Sequence, residues 1–510
     1  MPNRLAAVSA AFAVVAKAQG GWGGWGGPGS SSSVVLNVDP SCKYQGFDGI
    51  GVSEAFQRGL VIHQLDAAHQ NEVLDYLFSN KTGAGMTILR NGLGAAPDDP
   101  FDLMKSIAPV APASNSSQLD FIPLPREDEY QVWLSHQAIS RGVTTIYADA
   151  WSADGYMKTN GTEDYGGYLC GVTNTSCATG DWRQSYANKI VKYIQDYAAE
   201  GITINYVGFL NEPDLNTTYA SMQSDGQQAA DFIKILYPTL KAAGLKTQIA
   251  CCDGSGWEQN RERLTGIEEA GYENDLGLVT SHGYSSYPGS PFVTTRKTWQ
   301  TEWSTFDPIN FNWYTNGGSQ SDGIAWANRI QQLFTVSNVT GHLYWWALAQ
   351  LILADDHFSS LCQINKLTRT TTGAANTTDN QSLLFINNTA EVRVTGRLWA
   401  HTHFGSRFIR AGAHRIDASI AGSSALNVSA FANTDGSTAI QVINNSNDTE
   451  TITLQGLPIQ WGWGYHNGAA AVTTYLTNNA NNLTRGVATV RGGQAVATVP
   501  GQSLLSLIVS

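Results

Sequence analysis

Two glutamates lie at the ends of short apolar stretches that have the length of buried β-strands. Glu212 lies in GFLNEP at 208–213, and Glu302 lies in WQTEW at 299–303. The carboxyl ends of parallel strands in a barrel meet at one face, so we expect both side chains at a single site. Hydrolysis of a glycosidic bond requires two such carboxyl groups on opposite sides of the bond. Two acids can also fall at strand ends by chance, and their spacing alone does not exclude this.

Four polar side chains near strand ends could assist the two glutamates. Asn211 precedes the first of them and could bond a sugar hydroxyl, or it could only cap the strand end. Arg90 ends the second predicted strand, where a charge-assisted hydrogen bond could keep a carboxylate ionised; a structural ion pair is the alternative. His282 and Tyr284 follow the sixth strand and could orient the second glutamate or the sugar. A histidine at a barrel rim can equally be a packed residue.

Aromatic residues at strand ends could bind sugar rings. Trp151 and Trp346 lie at the ends of the third and eighth predicted strands. Their flat apolar faces can stack on pyranose rings, although tryptophan is also a common core residue. Trp345 is expected in the core, because adjacent residues on a strand face opposite sides.

One cation near the first strand could recognise an acidic sugar. Arg58 follows that strand, and a guanidinium group can hold a carboxylate at two points, as on an acidic sugar substituent. A solvated arginine at the start of a helix is equally consistent. Since two carboxylates suffice for the reaction, the other acids near the strand ends are interpreted as supporting or structural: Glu54, Asp149, Asp154 and Asp214.

The elements that position these residues alternate between apolar stretches and helical or loop segments. The eight strand candidates are FDGIGVSEAF, GMTILRNGLG, TTIYADAW, ITINYVGFLNEP, LKTQIACCDG, LGLVTSHGYSSY, RKTWQTEWS and GHLYWWAL. Such a series predicts an α/β fold, a closed (β/α)8 TIM barrel over 47–411, in which each strand is buried on both faces. An open doubly wound sheet is the alternative, but the first strand lacks a glycine-rich phosphate loop.

The last hundred residues have a different pattern. Alternation with a period of two, as in ALNVSAFAN and TAIQVINNS, predicts an antiparallel β-sandwich domain over 412–510. The stretch 34–46 begins with a similar strand at 34–38, which could complete the sandwich from the N-terminal side. The two domains would then share a long seam.

The N-terminal region is typical of a secreted protein. Residues 1–18 combine a basic start, an apolar run and the small-x-small motif AKA, which predicts a signal peptide, and 19–33 form a Gly/Ser-rich linker. Six cysteines, with Cys170 and Cys177 as the best candidate pair, favour disulfides over a zinc site. Thirteen Asn-x-Ser/Thr sequons predict that several asparagines carry glycans. We therefore expect an extracellular glycoprotein.

Composition excludes several classes of partner. The chain has 510 residues, a formal net charge of −12 and no basic run, which disfavours nucleic acid and anionic membranes. No apolar segment is long enough to cross a bilayer. Only 14% of the residues are charged, so the surface relies on hydroxyl, amide and aromatic groups that suit neutral, hydroxyl-rich ligands. No cysteine or histidine spacing predicts a metal site, and we expect neither a metal nor another cofactor.

Six motifs in order resemble glycoside hydrolase family 30, most closely its fungal xylanase subfamily 7. These motifs are GFDGIGVSEAFQR (46–58), LRNGLG (89–94), WSADGYMKTNG (151–161), GFLNEPD (208–214), WQTEWS (299–304) and FGSRFIRAG (404–412). The resemblance implies that Glu212 is the general acid/base and Glu302 the nucleophile of a retaining mechanism, with carboxyl groups about 5 to 5.5 Å apart. It also implies that Asn211 bonds the 2-hydroxyl of the sugar.

The expected function is therefore that of a monomeric, secreted hydrolase of plant cell-wall xylan, with glucuronoxylan as the preferred substrate. A β-1,6-glucanase or β-1,6-galactanase is the alternative within the same family, because specificity depends on loops. A catalytically silent carbohydrate-binding protein is the alternative from another class. Cleavage inside the polymer and release of short units from an end both remain open, since the segment 91–125 is long enough to block one end of a cleft.

Overall fold

The computed structural model describes residues 34–98, 103–124, 130–350, 381–386, 391–457, 472–491 and 494–510. The predicted signal peptide and linker, Cys362 and the sequons at Asn376, Asn380 and Asn387 lie outside these residues. Within them, no helix is both long and apolar enough to cross a membrane.

The described residues begin with strand β1 (Val34–Gly46), which belongs to a second sheet, and a closed barrel of eight parallel strands follows. The barrel strands are β2 (Gly49–Ser53), β3 (Ile88–Leu93), β4 (Thr145–Ala150), β5 (Ile204–Gly208), β6 (Gln248–Gly254), β7 (Leu276–His282), β8 (Lys297–Glu302) and β9 (Gly341–Tyr344). Each of the eight apolar stretches contains one strand, and β2 closes the barrel by pairing with β9. The predicted TIM barrel is therefore confirmed. Its strands read as apolar runs because both of their faces are covered.

Helices surround the barrel and connect successive strands. They are α1 (Arg58–His63), α2 (Ala67–Phe78), α3 (Gln131–Arg141), α4 (Arg183–Ala199), α5 (Gly226–Ala242), α6 (Trp257–Glu269), α7 (Gly323–Thr335) and α8 (Gly396–Thr402). Local sequence defines some of their starts: the Asp66 side chain caps α2, and Asp225 with Gln228 forms a capping box at α5. A small sheet over the barrel contains β10 (Leu348–Gln350), β11 (Leu384–Ile386) and β12 (Val392–Val394).

The second sheet has ten strands and is mostly antiparallel. Besides β1 it contains β13 (His414–Ala421), β14 (Leu426–Ala432), β15 (Thr438–Asn444), β16 (Glu450–Gln455), β17 (Thr473–Asn478), β18 (Asn481–Val487), β19 (Thr489–Arg491), β20 (Gln494–Val499) and β21 (Ser503–Val509). Strand β1, which includes the predicted strand at 34–38, lies between β13 and β16. It is antiparallel to β13 and parallel to β16. Leu36, Ile440 and Leu507 belong to the core that this sheet encloses.

The barrel and the second sheet share a continuous seam. Phe334 of α7 packs against Phe431 of β14 with ring centroids 5.8 Å apart. Trp313 donates its indole N–H to the carbonyl of Gln502 over 2.9 Å. Since Phe334 and Phe431 also belong to the main barrel core, part of the sheet completes that core.

The structure contains the predicted disulfide between Cys170 and Cys177, whose Cα atoms are 5.7 Å apart. A second disulfide, which was not predicted, joins the adjacent residues Cys251 and Cys252. Among the sequons, Asn444 is fully buried and its amide donates to the carbonyls of Asp448 and Val499. A glycan cannot be attached there in the folded chain.

Candidate active site

A cavity of about 370 Å³ opens at the carboxyl ends of the barrel strands. Both predicted acids, Glu212 and Glu302, line it. Its walls are largely aromatic: Phe56, Trp151, Tyr219, Tyr284, Phe306, Trp345 and Trp346. Carboxyl groups at the base of an apolar pocket can act on a bond while ring faces hold the flanking groups.

Glu212 lies beyond its strand, because β5 ends at Gly208 and the acid follows in the next loop. Its backbone has a φ of 47°, in the left-handed region that non-glycine residues rarely adopt, and its N–H donates to the carbonyl of Asp253 over 2.8 Å. Its Oε2 accepts a hydrogen bond from Tyr219 Oη at 3.0 Å, and its Oε1 lies 3.1 Å from His282 Nδ1. Two side-chain contacts therefore hold this carboxyl group, and a third contact holds the backbone that carries it.

Glu302 is the last residue of β8 and its side chain is buried at the base of the pocket. Arg90 Nη1 donates to its Oε2, and His282 Nδ1 lies 3.8 Å from its Oε1. One carboxylate oxygen of Glu302 and one of Glu212 lie within 4.8 Å of each other. Two carboxyl groups this close can reach the same atom of a bound molecule.

Arg90 is fully buried and organises the floor of the pocket. It lies within β3, not at its end as predicted, and its guanidinium also donates to Asp149 Oδ2 at 2.7 Å and to Asn211 Oδ1 at 2.6 Å. Burial raises the pKa of Glu302, and the positive charges of His282 and Arg90 oppose that rise. Because the side-chain oxygen of Asn211 already accepts a hydrogen bond from Arg90, the amide N–H group of Asn211 is the part that can donate to a ligand.

His282 lies between the two glutamates. Burial alone would lower the pKa of this imidazole, but the carboxylates of Glu302, Asp253 and Glu212 raise it to about 10. The ring is therefore a cation near neutral pH. Ligand atoms of Glu212, His282 and Glu302 lie within 4.8 Å of one another, a spacing that could suit a metal ion. The same spacing also allows the imidazole to pair with both carboxylates.

A second layer of polar groups lies beneath these residues. The sequence did not indicate a role at the site for Asp253, and Asp149 was expected only to support it. Asp253 accepts hydrogen bonds from the hydroxyls of Tyr147 and Thr301, and its Oδ1 lies 3.4 Å from His282 Nε2. Asp149, interpreted above as supporting or structural, contacts Arg90 directly. The sequence feature that could have identified Asp253 is an acidic residue directly after the apolar run of the fifth barrel strand.

The aromatic walls include one residue that was not predicted there. Trp151 and Trp346 line the pocket. Trp345 is buried in an apolar cluster with Phe56 and Trp151, as expected of a core residue, but it also lines the pocket, and its ring stacks on Trp346 with centroids 4.3 Å apart. Strand alternation does not apply to this pair, because β9 ends at Tyr344. Tyr284 also lines the pocket, with its hydroxyl 3.4 Å from Ser304 Oγ.

Arg58 is not where the prediction required it. Its side chain is only 6% exposed, its Nε donates to the carbonyl of Phe56, and its guanidinium lies 4.1 Å from the ring centre of Trp346. The guanidinium therefore supports the aromatic wall from behind instead of facing a ligand carboxylate. Direct recognition of an acidic branch by Arg58 is not supported.

Two exposed aromatic residues at the pocket were not predicted. Tyr219, which is 39% exposed, donates its hydroxyl to Glu212. Phe306 is 67% exposed and packs against Tyr284 with ring centroids 5.6 Å apart. Both lie in loops after barrel strands, where periodicity carries no signal, and only their proximity to the two acids identifies them.

The chain matches two family models. The glycosyl hydrolase family 30 TIM-barrel domain matches residues 44–253, and the glycosyl hydrolase family 30 beta sandwich domain matches residues 412–507. Among solved structures, the catalytic domain of GH30 xylanase C from Talaromyces cellulolyticus is 39% identical. The similarity covers 93% of this chain and 100% of that chain, with a TM-score of 0.81.

Two curated proteins are similar over shorter stretches. An endo-1,6-beta-D-glucanase of Trichoderma harzianum is 27% identical over 262 residues, 49% of this chain and 51% of that protein. The lysosomal acid glucosylceramidase of Mus musculus is 29% identical over 188 residues, 36% of this chain and 34% of that protein. The chain thus spans about half the length of the first of these relatives and about a third of the second.

Proposed function

Because the chain belongs to glycoside hydrolase family 30, as its motifs predicted, we propose that it is a secreted retaining hydrolase of β-1,4-xylan. The observation that carries the proposal is the pair Glu212 and Glu302, whose carboxylate oxygens approach within 4.8 Å at the base of an aromatic pocket. Retaining enzymes have carboxyl groups about 5 to 5.5 Å apart, whereas inverting enzymes need roughly 6.5 to 9.5 Å to admit a water molecule. The short separation supports retention.

The surroundings of each glutamate support their separate roles. Glu302 accepts a hydrogen bond from Arg90, whose positive charge favours the ionised form that a nucleophile requires. Glu212 accepts a hydrogen bond from the exposed Tyr219, and in this position it can reach a departing sugar oxygen.

In the first step, Glu302 attacks the anomeric carbon as Glu212 donates its proton to the leaving oxygen, and the glycosidic bond breaks. In the second step, Glu212 takes a proton from water, the water oxygen attacks the same carbon, and the bond to Glu302 breaks. The two inversions together retain the configuration. Asn211, held by Arg90 through its oxygen, can donate its amide N–H to the 2-hydroxyl of the sugar in both steps.

Xylan is proposed as the substrate because the similarity to the Talaromyces xylanase is higher and spans both the barrel and the second sheet. The shorter similarity to a β-1,6-glucanase keeps that activity as the second candidate. Hydrolysis of glucuronoxylan, plain xylo-oligosaccharides, pustulan and β-1,6-galactan by the full chain discriminates between them. Release of sugars from pustulan or galactan but not from xylan would refute the choice of substrate. No release from any β-glycan would favour a silent binding protein.

The same experiment tests two further expectations. Faster cleavage of glucuronoxylan than of linear xylan would support a preference for the acidic branch. Products of mixed length from the polymer would indicate internal cleavage, and a single short product would indicate release from an end.

Two glutamine variants test the roles of the acids. Glu302→Gln should abolish turnover without loss of the fold, and azide should not rescue it, because the amide occupies the space that a small nucleophile needs. Glu212→Gln should retain activity on aryl glycosides with good leaving groups, and azide should accelerate it by replacing the water that no longer loses its proton to a base. The opposite response to azide would reverse the assignment.

A further inference from the structure

Two fully buried aspartates, Asp149 of β4 and Asp253 of β6, lie beneath the catalytic glutamates. The reaction proposed above does not use their chemistry directly. Their carboxyl groups lie within hydrogen-bonding reach of each other. Two ionised carboxylates have only acceptors, so a hydrogen bond between them requires a proton on one of the two.

The other contacts indicate which aspartate carries this proton. Asp253 accepts hydroxyl hydrogen bonds from Tyr147 on Oδ2 and Thr301 on Oδ1, and His282 Nε2 lies 3.4 Å from its Oδ1. Asp149 accepts from Arg90 on Oδ2, and no donor among the described residues is aimed at its Oδ1. Hydrogen bonds donated to a carboxylate favour its ionised form, so the larger number of donors favours the charge on Asp253.

We propose that Asp149 and Asp253 hold a single proton between them, that it resides on Asp149, and that the Asp253 carboxylate keeps His282 charged and directed at Glu212. Asp253 is then a positioning residue that acts through His282. It also meets Glu212 directly, because its backbone carbonyl accepts the Glu212 N–H. The consequence for catalysis rests on the proposed function, whereas the location of the proton does not.

A glycine in β5 leaves space for the buried side chains of Asp149 and Tyr147. A Cβ atom on Gly208 of β5 would lie 2.0 Å from Asp149 Oδ1 and 2.5 Å from Tyr147 Oη. Only glycine leaves room for the buried carboxyl group at this point. The close approach therefore depends on the residue type that β5 provides, directly before the loop that carries Glu212.

The proposed arrangement balances the buried charges. With the proton on Asp149, the charges beside the two aspartates are the cations Arg90 and His282 and the anions Glu302 and Asp253. A fifth charge without a partner in this layer would lower the free energy of unfolding, because burial removes the charge from water. This balance explains how Asp149, Asp253 and Glu302 can lie together around the two cations Arg90 and His282.

The directions of the pKa shifts agree with this distribution. Burial and the neighbouring Asp253 hold the pKa of Asp149 well above its usual range. Burial would also raise the pKa of Asp253, but hydrogen bonding to His282 and the charge of Arg90 lower it below its usual range. The titratable groups that face the two aspartates and His282 are Arg90, Tyr147, Tyr186, Glu212, Tyr284 and Glu302.

Histidine-labelled full-length protein tests the proposal by ¹⁵N NMR, which reports the charge of each imidazole, with His282→Gln to assign the signal. We expect a charged His282 at pH 8 in the wild type and in Asp149→Asn, but a neutral ring in Asp253→Asn. Infrared difference spectra should show that Asp149→Asn removes one protonated-carboxyl band. The kcat of Asp253→Asn on an aryl xyloside should fall about 10- to 150-fold, as expected for loss of a charge-assisted hydrogen bond.

Asp154→Asn is the matched control, because this aspartate is also buried but pairs with Lys189 at 2.6 Å. It should leave the charge of His282 unchanged. If Asp253→Asn does not fold, Tyr147→Phe removes one donor from Asp253 and should make His282 lose its charge at a lower pH than in the wild type. A neutral His282 in Asp149→Asn, or a protonated-carboxyl band that disappears only in Asp253→Asn, would overturn the proposal. The spectra decide this even if no glycan is hydrolysed.

Discussion

Replacement of Arg90 by methionine should move the acidic limb of the pH profile to higher pH. Arg90 is fully buried and donates hydrogen bonds to Glu302, Asp149 and Asn211. Burial raises the pKa of Glu302, and Arg90 is one of the two cations that oppose this. As the proposed nucleophile, Glu302 must be ionised, so activity is present above its pKa and is lost as the pH falls through it. Removal of the cation raises that pKa, and activity is then lost at a higher pH.

The size of the shift follows from the contact that is lost. A hydrogen bond between charged groups contributes about 1.5 to 3 kcal/mol, and a change of one pH unit corresponds to about 1.4 kcal/mol. The acidic limb of kcat/KM should therefore move up by about one to two pH units. An aryl β-xyloside with a good leaving group is the appropriate substrate, because its cleavage depends little on protonation of the leaving oxygen.

Two further variants separate this electrostatic effect from loss of stability. Arg90→Lys keeps the charge but cannot make the same three contacts, so its limb should move less than that of Arg90→Met. Arg397→Met is the control, because Arg397 is also buried but donates to the carbonyls of Ser321 and Ser382, away from the two glutamates. It should lower the free energy of unfolding without moving the limb. An unchanged limb in Arg90→Met, or an equal shift in Arg397→Met, would refute the reasoning.

Three other changes test the remaining features. Trp346→Ala should raise KM for xylo-oligosaccharides about tenfold, through loss of roughly 1.4 kcal/mol of apolar contact; an unchanged KM would exclude Trp346 from substrate binding. Cys170→Ser should lower the free energy of unfolding, measured in urea, by about 2 to 3 kcal/mol, because the disulfide closes a short loop. An equal free energy of unfolding in the oxidised wild type and the variant would contradict this. A chain that ends at Gly412 should be insoluble or inactive, because the seam at Phe334 would be exposed; a soluble, fully active product would show that the second sheet is an independent module.

The sequence was sufficient to predict the barrel and the two glutamates. Parallel strands that are covered on both faces must be apolar throughout, and this pattern is local, so each of the eight strands could be located from its own residues. The identity of a residue at the end of such a strand is also local information. Glu212 and Glu302 could therefore be proposed before any distance was known.

The contacts around the glutamates could not be predicted in the same way, because register shifts between neighbouring strands change the direction of side chains. Strands β6 and β7 shift their register between Cys252 and Gly254, next to Asp253. Strands β7 and β8 shift between Ser281 and His282. Alternation along one strand therefore gives no reliable direction for Asp253 or His282, and closure of the barrel decides what they meet.

The sequence predicted that Trp345 is a core residue, and it is buried, but its place at the pocket and the contacts of Arg58 could not be predicted, because both residues lie beyond the end of a strand. Past Tyr344 the chain no longer alternates, so Trp345 joins Trp346 at the pocket. Arg58 looks like an exposed cation in the sequence, but the aromatic wall covers it. Local sequence determines which groups are available at the mouth of this barrel. Only packing between segments distant in the chain determines which of them face the pocket, because burial and pairing depend on neighbours that the local sequence does not specify.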